Sequence, residues 1–463
     1  MNVEDELRDI FGNRVLTRKE DMIPYTRDAS FFSSDIPLAV VIPKNAMEIS
    51  KLMRLCCENN IPVTVRSGGS SLTGSSVPLS GGIVISMSAM NRILEIKTDD
   101  SFVIAEAGVR LDDLNSELRK KGFFYPPDPA SSMAATVGGS INTNAGGLRA
   151  SLYGATKEWV LGMEVVLPTG EIQQFGGKTL KRTKGYDFTA LMVGSEGTLA
   201  IITKATLKIR PMPEELGRIM AYFTDIENVG RSIMHLKSSG FIPYIAEFLD
   251  KGSLESVKIA KGIDYPKESN YLLMVDMAST HESISRLMEE TSSVIKKFNP
   301  VSISITTDRA EMEKMYEARK GLYSSSLLLR ESRDQYIVIA DIVVPLSELS
   351  SAMREMRDII DRSGIKAILF GHIGDGNIHG NIFASPGSEE DRTKVEKLQL
   401  DLGMVAIRHN GSVSAEHGIG VEKKELLREE MKFHNSEYTL DIMKRIKEVF
   451  DPKGLLNRGK IFD

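Results

Sequence analysis

Two histidines on either side of a turn signal carry the clearest chemical pattern in the sequence. His372 follows the apolar run 367–371, and His379 lies in the next apolar stretch, after Asp375 and Gly376. Asp-Gly between alternating apolar runs is a strong signal for a two-residue hairpin turn. If Asp375 and Gly376 form that turn, the two histidines are directly opposite on neighbouring strands, with Cβ atoms about 5 Å apart. We therefore expect both imidazoles to be able to bind one metal ion.

Glu416 and His417, in the small-residue stretch 412–420, are a second pair of chemically capable residues. Two histidines and one carboxylate form a site for Zn²⁺, Mn²⁺ or Fe²⁺ that leaves coordination positions open for a substrate. Such a metal lowers the pKa of a substrate hydroxyl, and a neighbouring base such as His417 could take the proton. A lone histidine is more commonly a hydrogen-bonded core residue, and the residues by themselves leave both interpretations open. We expect only the structural role for the other four histidines, which are His235, His281, His409 and His434.

A glycine-rich loop follows the buried strand predicted at 61–65. Glycines permit positive φ and let another group approach the main chain, while consecutive N–H groups form a concave anion site. The glycine spacing matches neither the dinucleotide fingerprint nor the Walker loop. The stretch is therefore interpreted as a pyrophosphate cradle, although a flexible surface loop would explain it equally well by itself. The candidate cradle residues are Arg66, Ser67, Gly68, Gly69, Ser70, Ser71, Thr73 and Gly74.

Two further patches have little side-chain bulk and are therefore poor core material. The stretch 126–129 is stiff because prolines restrict themselves and their predecessors, and 136–147 is glycine-rich. Long loops without structure are uncommon unless they are functional, so we expect 136–147 to wrap a ligand. The third patch, 192–199, precedes a strand at 200–203. The candidate binding residues of these patches are Pro127, Asp128, Thr136, Gly138, Gly139, Asn142, Asn144, Gly146, Gly194, Glu196, Gly197 and Ile202.

Composition narrows the class of protein. The length of 463 residues suggests two or three domains, and 41% hydrophobic with 26% charged residues is typical of a globular protein. A net charge of −5 gives no basic footprint for nucleic-acid binding. Cys56 and Cys57 are adjacent and are expected to be reduced thiols. The acidic N-terminus argues against a secretory signal, and no apolar run reaches the length of about 18 residues that a membrane span needs.

Periodicity supplies the elements that must position these residues. Asn45 followed by Glu48 predicts a helix start, with the helix running to about Asn59. The proline-punctuated seam 210–214 marks a domain boundary. Beyond it, the order of predicted elements suggests a ferredoxin-like antiparallel sheet with helices on one face. Its predicted elements are a strand at 219–223, a helix at 226–239, strands at 241–249 and 271–278, a helix at 282–298 and a strand at 301–306. Further predictions are helices at 309–329, 347–363, 389–409 and 436–449 and a strand at 336–344.

In this order and spacing, the three glycine-rich patches resemble the FAD-binding domain of the vanillyl-alcohol oxidase family of flavoproteins. The likeness is strongest to the branch with FAD-linked D-lactate dehydrogenase, the glycolate oxidase flavin subunit and D-2-hydroxyglutarate dehydrogenase. It implies an α+β protein with an FAD-binding domain at 1–212 and a substrate domain at 213–463, whose segment from about 450 to 463 returns to the flavin. Relatives with covalently attached flavin carry histidine at the place of Ser70, so FAD is expected to bind non-covalently.

The same resemblance assigns roles around the histidines. The stretches 371–379 and 415–418 are similar to motifs of these 2-hydroxy-acid dehydrogenases. The likeness implies that His372, His379 and Glu416 bind a divalent metal, most simply Zn²⁺, and that His417 is the base while hydride passes to flavin N5. Asn381 would lie on the substrate side, and Arg319 would bind the substrate carboxylate, which suits bidentate pairing with arginine. Asn457 and Lys460 would approach the flavin ring, although Arg458 stands where the family usually has proline.

The family likeness leaves substrate and partners open. The hydroxyglutarate enzymes carry a lysine where this chain has Ile339, which favours a monocarboxylate such as D-lactate or glycolate unless Arg330 or Arg333 substitutes. The expected function is oxidation of a D-2-hydroxy acid to the 2-oxo acid. The alternatives are a flavin subunit of a glycolate-oxidase-like complex and an alkylglycerone-phosphate-synthase-like transferase, although the transferase would carry a run of histidines at 415–417. A quinone, a cytochrome or an electron-transfer flavoprotein would accept the electrons. The protein is expected in the cytoplasm, with a peripheral contact to the inner face of the membrane and a homodimer both allowed.

Overall fold

The computed structural model describes residues 3–387 and 389–462. The chain forms two compact units. The first unit takes the described residues up to Ala145, together with Ala155–Met212 and those from Glu416 onward. The second takes Gly146–Gly154 and the described residues of 213–415. Residues 1, 2, 388 and 463, which fall inside the predicted domain ranges, lie outside the described residues.

The first unit contains most of the short helices. Its helices are α1 (Val3–Phe11), α2 (Lys19–Met22), α3 (Ala46–Asn59), α4 (Leu111–Arg119), α5 (Val137–Thr143), α7 (Phe188–Met192), α15 (Lys424–Phe433) and α16 (Tyr438–Phe450), with α6 (Ala150–Tyr153) belonging to the second unit. Short 3₁₀ turns lie at Gly12–Arg14, Ile23–Tyr25, Met87–Ala89 and Thr156–Trp159. The predicted start of α3 is confirmed, because the Asn45 side chain accepts a hydrogen bond from the Glu48 N–H at 3.0 Å. Such a cap stabilises a helix by about 0.5–2 kcal/mol.

Two main sheets form the frame of the first unit. The four-stranded sheet has the order β1 (Val15–Leu16), β2 (Ala39–Val41), β4 (Ile83–Ser86), β3 (Val63–Arg66). The five-stranded sheet has the order β5 (Ile93–Lys97), β6 (Phe102–Glu106), β10 (Ile201–Lys208), β8 (Val160–Val166), β9 (Ile172–Gly176), and a small pair joins β7 (Phe123–Phe124) to β11 (Arg210–Pro211). β3 runs parallel to β4, so its carboxyl end delivers the glycine-rich loop to one edge of the sheet.

A seven-stranded antiparallel sheet organises the second unit. Its order is β15 (Ser302–Thr306), β12 (Glu215–Phe223), β14 (Tyr271–Ser279), β13 (Ile245–Asp250), β17 (Ala367–Gly371), β18 (Asn377–Ala384), β16 (Tyr336–Val343). Its helices are α8 (Ile226–Ser238), α9 (Lys251–Lys261), α10 (Ile284–Lys296), α11 (Arg309–Lys320), α12 (Leu322–Ser326), α13 (Leu349–Ser363) and α14 (Glu389–Arg408), with a 3₁₀ turn at Leu327–Leu329. The core of the unit lies between this sheet and helices α8, α10, α13 and α14.

The prediction of a ferredoxin-like sheet is confirmed for the four strands at one end of the sheet. Across the sheet these four strands lie in the order β15, β12, β14, β13. Counted along the chain from β12, that order is 4-1-3-2, which is the ferredoxin-like arrangement. Three further strands extend the sheet beyond β13. The sequence prediction missed helix α9, which begins directly after β13 with Asp250 as its cap, accepting from the Ser253 N–H at 2.8 Å.

Two other predicted elements differ from the structure, and one helix was missed. The helix predicted at 309–329 is divided at Gly321, where glycine interrupts the helical pattern. The stretch 136–147, predicted as a loop, contains helix α5, because the Thr136 side chain caps it by accepting from the Gly139 N–H at 3.2 Å. Helix α15 was not predicted.

No helix within the described ranges combines the length and the apolar character that crossing a membrane requires.

Candidate functional site

The loop after β3 presents an unusual row of free backbone donors. Among the described residues, no hydrogen-bond partner exists for the N–H groups of Gly68, Gly69, Ser70 and Ser71. The C-terminal part of the loop is held by hydrogen bonds of its own, because the Ser71 hydroxyl accepts from the N–H groups of Thr73 and Ser75. Consecutive free N–H groups form a concave anion site. The loop that was predicted to hold a pyrophosphate therefore has N–H donors available for it.

The glycine-rich patches of the first unit meet one another. Thr136 donates a hydrogen bond from its hydroxyl to the Ser67 hydroxyl at 2.6 Å. The Asn142 side chain accepts from the Gly197 N–H at 3.1 Å. The Asn457 side chain donates to the Glu196 carbonyl at 2.6 Å and accepts from the Val65 N–H at 3.2 Å. Four segments that are distant in sequence thus surround one region of the first unit.

Close backbone packing explains why this region requires glycine. A Cβ atom added to Gly68 would lie 2.0 Å from the carbonyl oxygen of Ala134, and one added to Gly138 would lie 2.7 Å from the Ala107 Cβ. Contacts under 3.0 Å between such atoms cannot be accommodated without moving the backbone. Packed backbone segments with free donors and little side-chain bulk fit the pyrophosphate and flat rings of a dinucleotide such as FAD.

Glu196 links the cradle to the segment that carries His417. It has φ +51°, and its buried carboxylate accepts hydrogen bonds from the Ile419 N–H at 2.7 Å, the Gly420 N–H at 2.8 Å and the Ser75 hydroxyl at 2.7 Å. Burial raises the pKa of this carboxyl group, and the hydrogen bonds oppose that rise. Thr73 donates to the His417 carbonyl at 3.2 Å. The segment around His417 is therefore held by Thr73 of the first glycine-rich patch and by Glu196 of the third.

The hairpin of the second unit brings His372 and His379 together in a register that differs from the prediction. Strand pairing places His379 opposite Phe370, so the two histidines are not direct cross-strand partners. The predicted two-residue turn needs positive φ at both central positions, and only Gly376 has it, at +90°. The loop therefore contains residues 372–376. The prediction that the imidazoles are neighbours is nevertheless confirmed, because their ring centres lie 5.1 Å apart with planes at 87°.

A buried carboxylate lies behind each imidazole. Glu247 Oε1 lies 2.7 Å from Nδ1 of His372, and Asp341 Oδ1 lies 3.4 Å from Nδ1 of His379. The hydrogen bond to Glu247 favours hydrogen on Nδ1 of His372, which leaves Nε2 of that ring available to a metal. Asp341 also accepts from the Asn377 side chain at 2.9 Å and from the Ala415 N–H at 3.2 Å. The donor set fits a divalent metal such as Zn²⁺, which binds neutral imidazole nitrogen.

Arg319 and Asn381, both predicted as catalytic, are buried in the same unit. Arg319 Nε lies 2.6 Å from Glu247 Oε2, and its guanidinium lies over the Phe370 ring with 5.0 Å between Cζ and the ring centre. Asn381 donates to the Ser326 hydroxyl at 3.0 Å. Within the described part of the chain, Arg319 Nη2 and Asn381 Oδ1 have no hydrogen-bond partner. A buried donor and a buried acceptor without partners are costly unless a ligand satisfies them.

The remaining predicted residues divide between the units. Glu416 and His417 belong to the first unit, with 3.6 Å between Glu416 Oε1 and His417 Nε2, and Glu416 follows directly on Ala415 of the second unit. Lys460 is buried and donates to the carbonyls of Gly74 and Val77 at 2.6 and 2.7 Å. Pro127, Asp128, Asn144, Gly194 and Ile202 lie in the first unit, and Gly146 lies in the second. Four residues that the structure places at these sites were not predicted: Ser75, Asp341, Glu247 and Ser326.

The sequence matches two family models that together span most of the chain. One is described as the C-terminal domain of FAD-linked oxidases and covers residues 212–461, and the other is an FAD-binding domain covering residues 37–176. The chain therefore belongs to the FAD-linked oxidases, a group of flavoproteins that bind FAD. This confirms the predicted membership of the vanillyl-alcohol oxidase family and the prediction that the chain binds FAD.

Named relatives narrow the group further. The chain is 34% identical to the glycolate oxidase subunit GlcD of Bacillus subtilis, over 95% of this chain and 92% of that protein. It is 32% identical to a D-lactate dehydrogenase of Anaerostipes hadrus, over 99% of this chain and 96% of that protein. A solved structure of p-cresol methylhydroxylase with bound substrate matches with a TM-score of 0.81 at 15% identity, over 100% of this chain and 96% of that one. The last likeness concerns the fold alone.

Proposed function

We propose that this protein oxidises a D-2-hydroxy acid, D-lactate or a similar monocarboxylate, to the 2-oxo acid with FAD. The relatives that resemble it along nearly the whole chain are named as D-lactate dehydrogenase and as a glycolate oxidase subunit, and the substrates in both names are 2-hydroxy acids. The observation that carries the proposal is the buried polar cluster of the second unit. There, two histidine rings lie 5.1 Å apart beside an arginine whose Nη2 has no hydrogen-bond partner within the described part of the chain.

The proposed ligands of a divalent metal, Zn²⁺ in preference to Mn²⁺ or Fe²⁺, are His372, His379 and Glu416. When bound, the metal supplies Lewis-acid polarisation of the substrate hydroxyl. The hydrogen bond of Glu247 supports the assignment of His372, because metal-binding imidazoles usually donate their other N–H to a carboxylate. For His379 the support is its closeness to His372 and the Asp341 carboxylate 3.4 Å from its Nδ1. Glu416 is proposed from the sequence motif and from its place next to Ala415, whose N–H donates to Asp341.

Three further residues have proposed roles toward the substrate. Arg319 binds the substrate carboxylate through its guanidinium nitrogens, because Nη2 is a buried donor and Nε already faces Glu247. Asn381 accepts a hydrogen bond on its free Oδ1. His417 takes the hydroxyl proton as general base, with its segment held by Thr73 and Glu196.

The proposed cofactor arrangement uses residues 1–212 as the FAD-binding domain and 213–463 as the substrate domain, although the described residues from Glu416 onward pack in the first compact unit and Gly146–Gly154 in the second. Bound FAD supplies the acceptor of the α-hydride at N5. The cradle from Arg66 to Gly74 holds the pyrophosphate, residues 127–147 and 194–202 hold the adenosine and ring portions, and the segment from about 450 returns to the flavin through Asn457. Non-covalent attachment follows from Ser70.

The electron acceptor is proposed to be a quinone, a cytochrome or an electron-transfer flavoprotein, which a cytoplasmic protein could meet at the inner face of the membrane. A second candidate function follows from the name of one relative. Because the Bacillus subtilis relative is named as a subunit of glycolate oxidase, this chain could act as the flavin subunit of a complex. The second candidate predicts little dye reduction by the purified chain alone.

Anaerobic bleaching of the flavin tests the proposal. The purified holoprotein is mixed with D-lactate, L-lactate, glycolate or D-2-hydroxyglutarate, with and without prior chelation. We expect one D-acid or glycolate to bleach the flavin, with the reaction lost after chelation and restored by Zn²⁺ or Mn²⁺. Bleaching together with dye reduction by the chain alone supports the dehydrogenase over the subunit. A yellow protein that none of these acids bleaches overturns the proposed reaction.

A further inference from the structure

The carboxylate of Glu247 contacts two proposed site residues that come from different parts of the chain. Its Oε1 lies 2.7 Å from His372 Nδ1, and its Oε2 lies 2.6 Å from Arg319 Nε. Glu247 is completely buried, so both oxygens are shielded from water. The residue was not singled out by any sequence motif, because its partners are separated from it by long stretches of chain.

The strand arrangement places this carboxylate on the side of the sheet away from the hydrophobic core. Ala246 and Phe248, its neighbours in β13, belong to the core cluster, and side chains alternate along a strand. Glu247 therefore points to the opposite face. β17 pairs with β13 through Phe248 and Gly371, so the loop that starts at His372 begins next to Glu247. Helix α11 brings Arg319 from its last turn to the same carboxylate.

Each contact of Glu247 constrains one chemical property. Accepting from Nδ1 of His372 fixes the ring orientation and the tautomer that leaves Nε2 available for a metal. The ion pair between Oε2 and Nε of Arg319 holds the guanidinium by charge, without the alignment of a hydrogen bond. It leaves the two terminal nitrogens for another anion, and Nη2 has no hydrogen-bond partner in the described ranges. The Phe370 ring supports the guanidinium from one side, 5.0 Å from Cζ.

We propose that Glu247 is a positioning residue that aligns both halves of the site, the metal-binding histidine and the substrate-binding arginine. This inference rests on the proposed function. It predicts that a single substitution at Glu247 weakens metal binding and substrate binding together. A carboxylate that served only the stability of the fold would affect neither property selectively.

Glu247→Gln tests the inference because it keeps the size of the side chain and removes its charge. We expect Zn²⁺ and Co²⁺ affinity of the holoprotein to fall about 10- to 100-fold. We also expect the KM for the bleaching acid to rise about tenfold, which corresponds to losing one charge-assisted contact to the arginine. Metal affinity is measured by titration of chelated protein with Co²⁺, followed by its visible absorption, so this readout does not depend on turnover. FAD content should equal that of the wild type.

Asp250→Asn is the matched control. Asp250 lies on the same strand and is also buried. It accepts from the Ser253 and Leu369 N–H groups, both at 2.8 Å, and lies 3.5 Å from Arg357 Nη1, but no contact with His372 or Arg319 is present in the described residues. This variant should keep wild-type metal affinity and KM. If Glu247→Gln does not fold, Glu247→Asp replaces it, because the shorter side chain keeps the charge but cannot reach both partners.

Wild-type metal affinity and KM in the Glu247 variants, or equal losses in Asp250→Asn, would overturn the positioning role. These results leave the proposed function intact when the wild type is still bleached by a 2-hydroxy acid. A wild-type protein that binds no Co²⁺ and is bleached by none of the acids overturns both the inference and the proposed function.

Discussion

A methyl group at Gly68 should weaken FAD binding. The Cβ of Gly68→Ala would lie 2.0 Å from the Ala134 carbonyl oxygen and 2.9 Å from its carbonyl carbon. Ordinary contacts between carbon and carbonyl oxygen lie at about 3.3–3.6 Å. The conflict is with backbone on both sides, so no flexible side chain can move away. The cradle and the segment around Ala134 must separate by more than about 1 Å.

The size of the effect follows from the cost of overpacking. Extra methylene-sized groups in well-packed regions cost about 1–3 kcal/mol. The strain is relieved by displacing the loop whose free N–H groups are the proposed pyrophosphate donors. If FAD binding must restore the original loop conformation, the free energy of FAD binding is reduced by that amount. The reduction corresponds to about 5- to 150-fold weaker binding. The expected dissociation constant of Gly68→Ala therefore exceeds the wild-type value by about that factor.

Titration of the apoprotein with FAD, followed by quenching of flavin fluorescence, measures this difference. Gly177→Ala is the matched control, because its Cβ would have no atom within 4 Å and its φ is not positive. It should bind FAD like the wild type. An unchanged dissociation constant in Gly68→Ala, with both variants folded, would refute the assignment of the loop as the pyrophosphate cradle.

Two further predictions concern buried charges. Arg218 and Asp276 form a two-bond ion pair, with both distances 2.6 Å and both side chains 2% exposed. Arg218→Met should therefore cost about 3–5 kcal/mol in denaturant unfolding, and adding Asp276→Leu should recover part of the loss; additive losses in the double variant would contradict the pairing argument. Burial lowers the pKa of Lys460 to about 8, so the folded protein releases this proton at lower pH than the unfolded chain, whose lysines keep it to about 10.4. The unfolding free energy of the wild type, relative to that of Lys460→Met, should thus rise between about pH 8 and pH 10 by at most about 1.4 kcal/mol per pH unit. A difference in unfolding free energy that stays constant across that range would exclude the pKa shift.

The sequence by itself determined the local features of this protein. Glycine clusters indicate where backbone must approach a ligand, and the free N–H groups after Arg66 agree with that. Asn45 and Glu48 fixed a helix start through neighbouring atoms. The order of strands and helices after 213 was sufficient for the ferredoxin-like arrangement. The helix start depends on neighbouring residues, and the order of the elements follows from local periodicity, which is why sequence patterns predict them.

Tertiary structure decided everything that depends on distant partners. The hairpin register was mispredicted because the turn takes one positive φ and a longer loop, which the dipeptide Asp375-Gly376 does not reveal. No pattern marked Glu247, since its role arises only when β13 pairs with β17 and α11 brings Arg319 to the same face. In the same way, Glu196 was predicted as a cofactor residue, while its hydrogen bonds to Ile419 and Gly420 exist only in the folded unit. The carboxylates of Glu247 and Glu196 are shielded from water only because they are buried, and burial is a property of the folded chain alone.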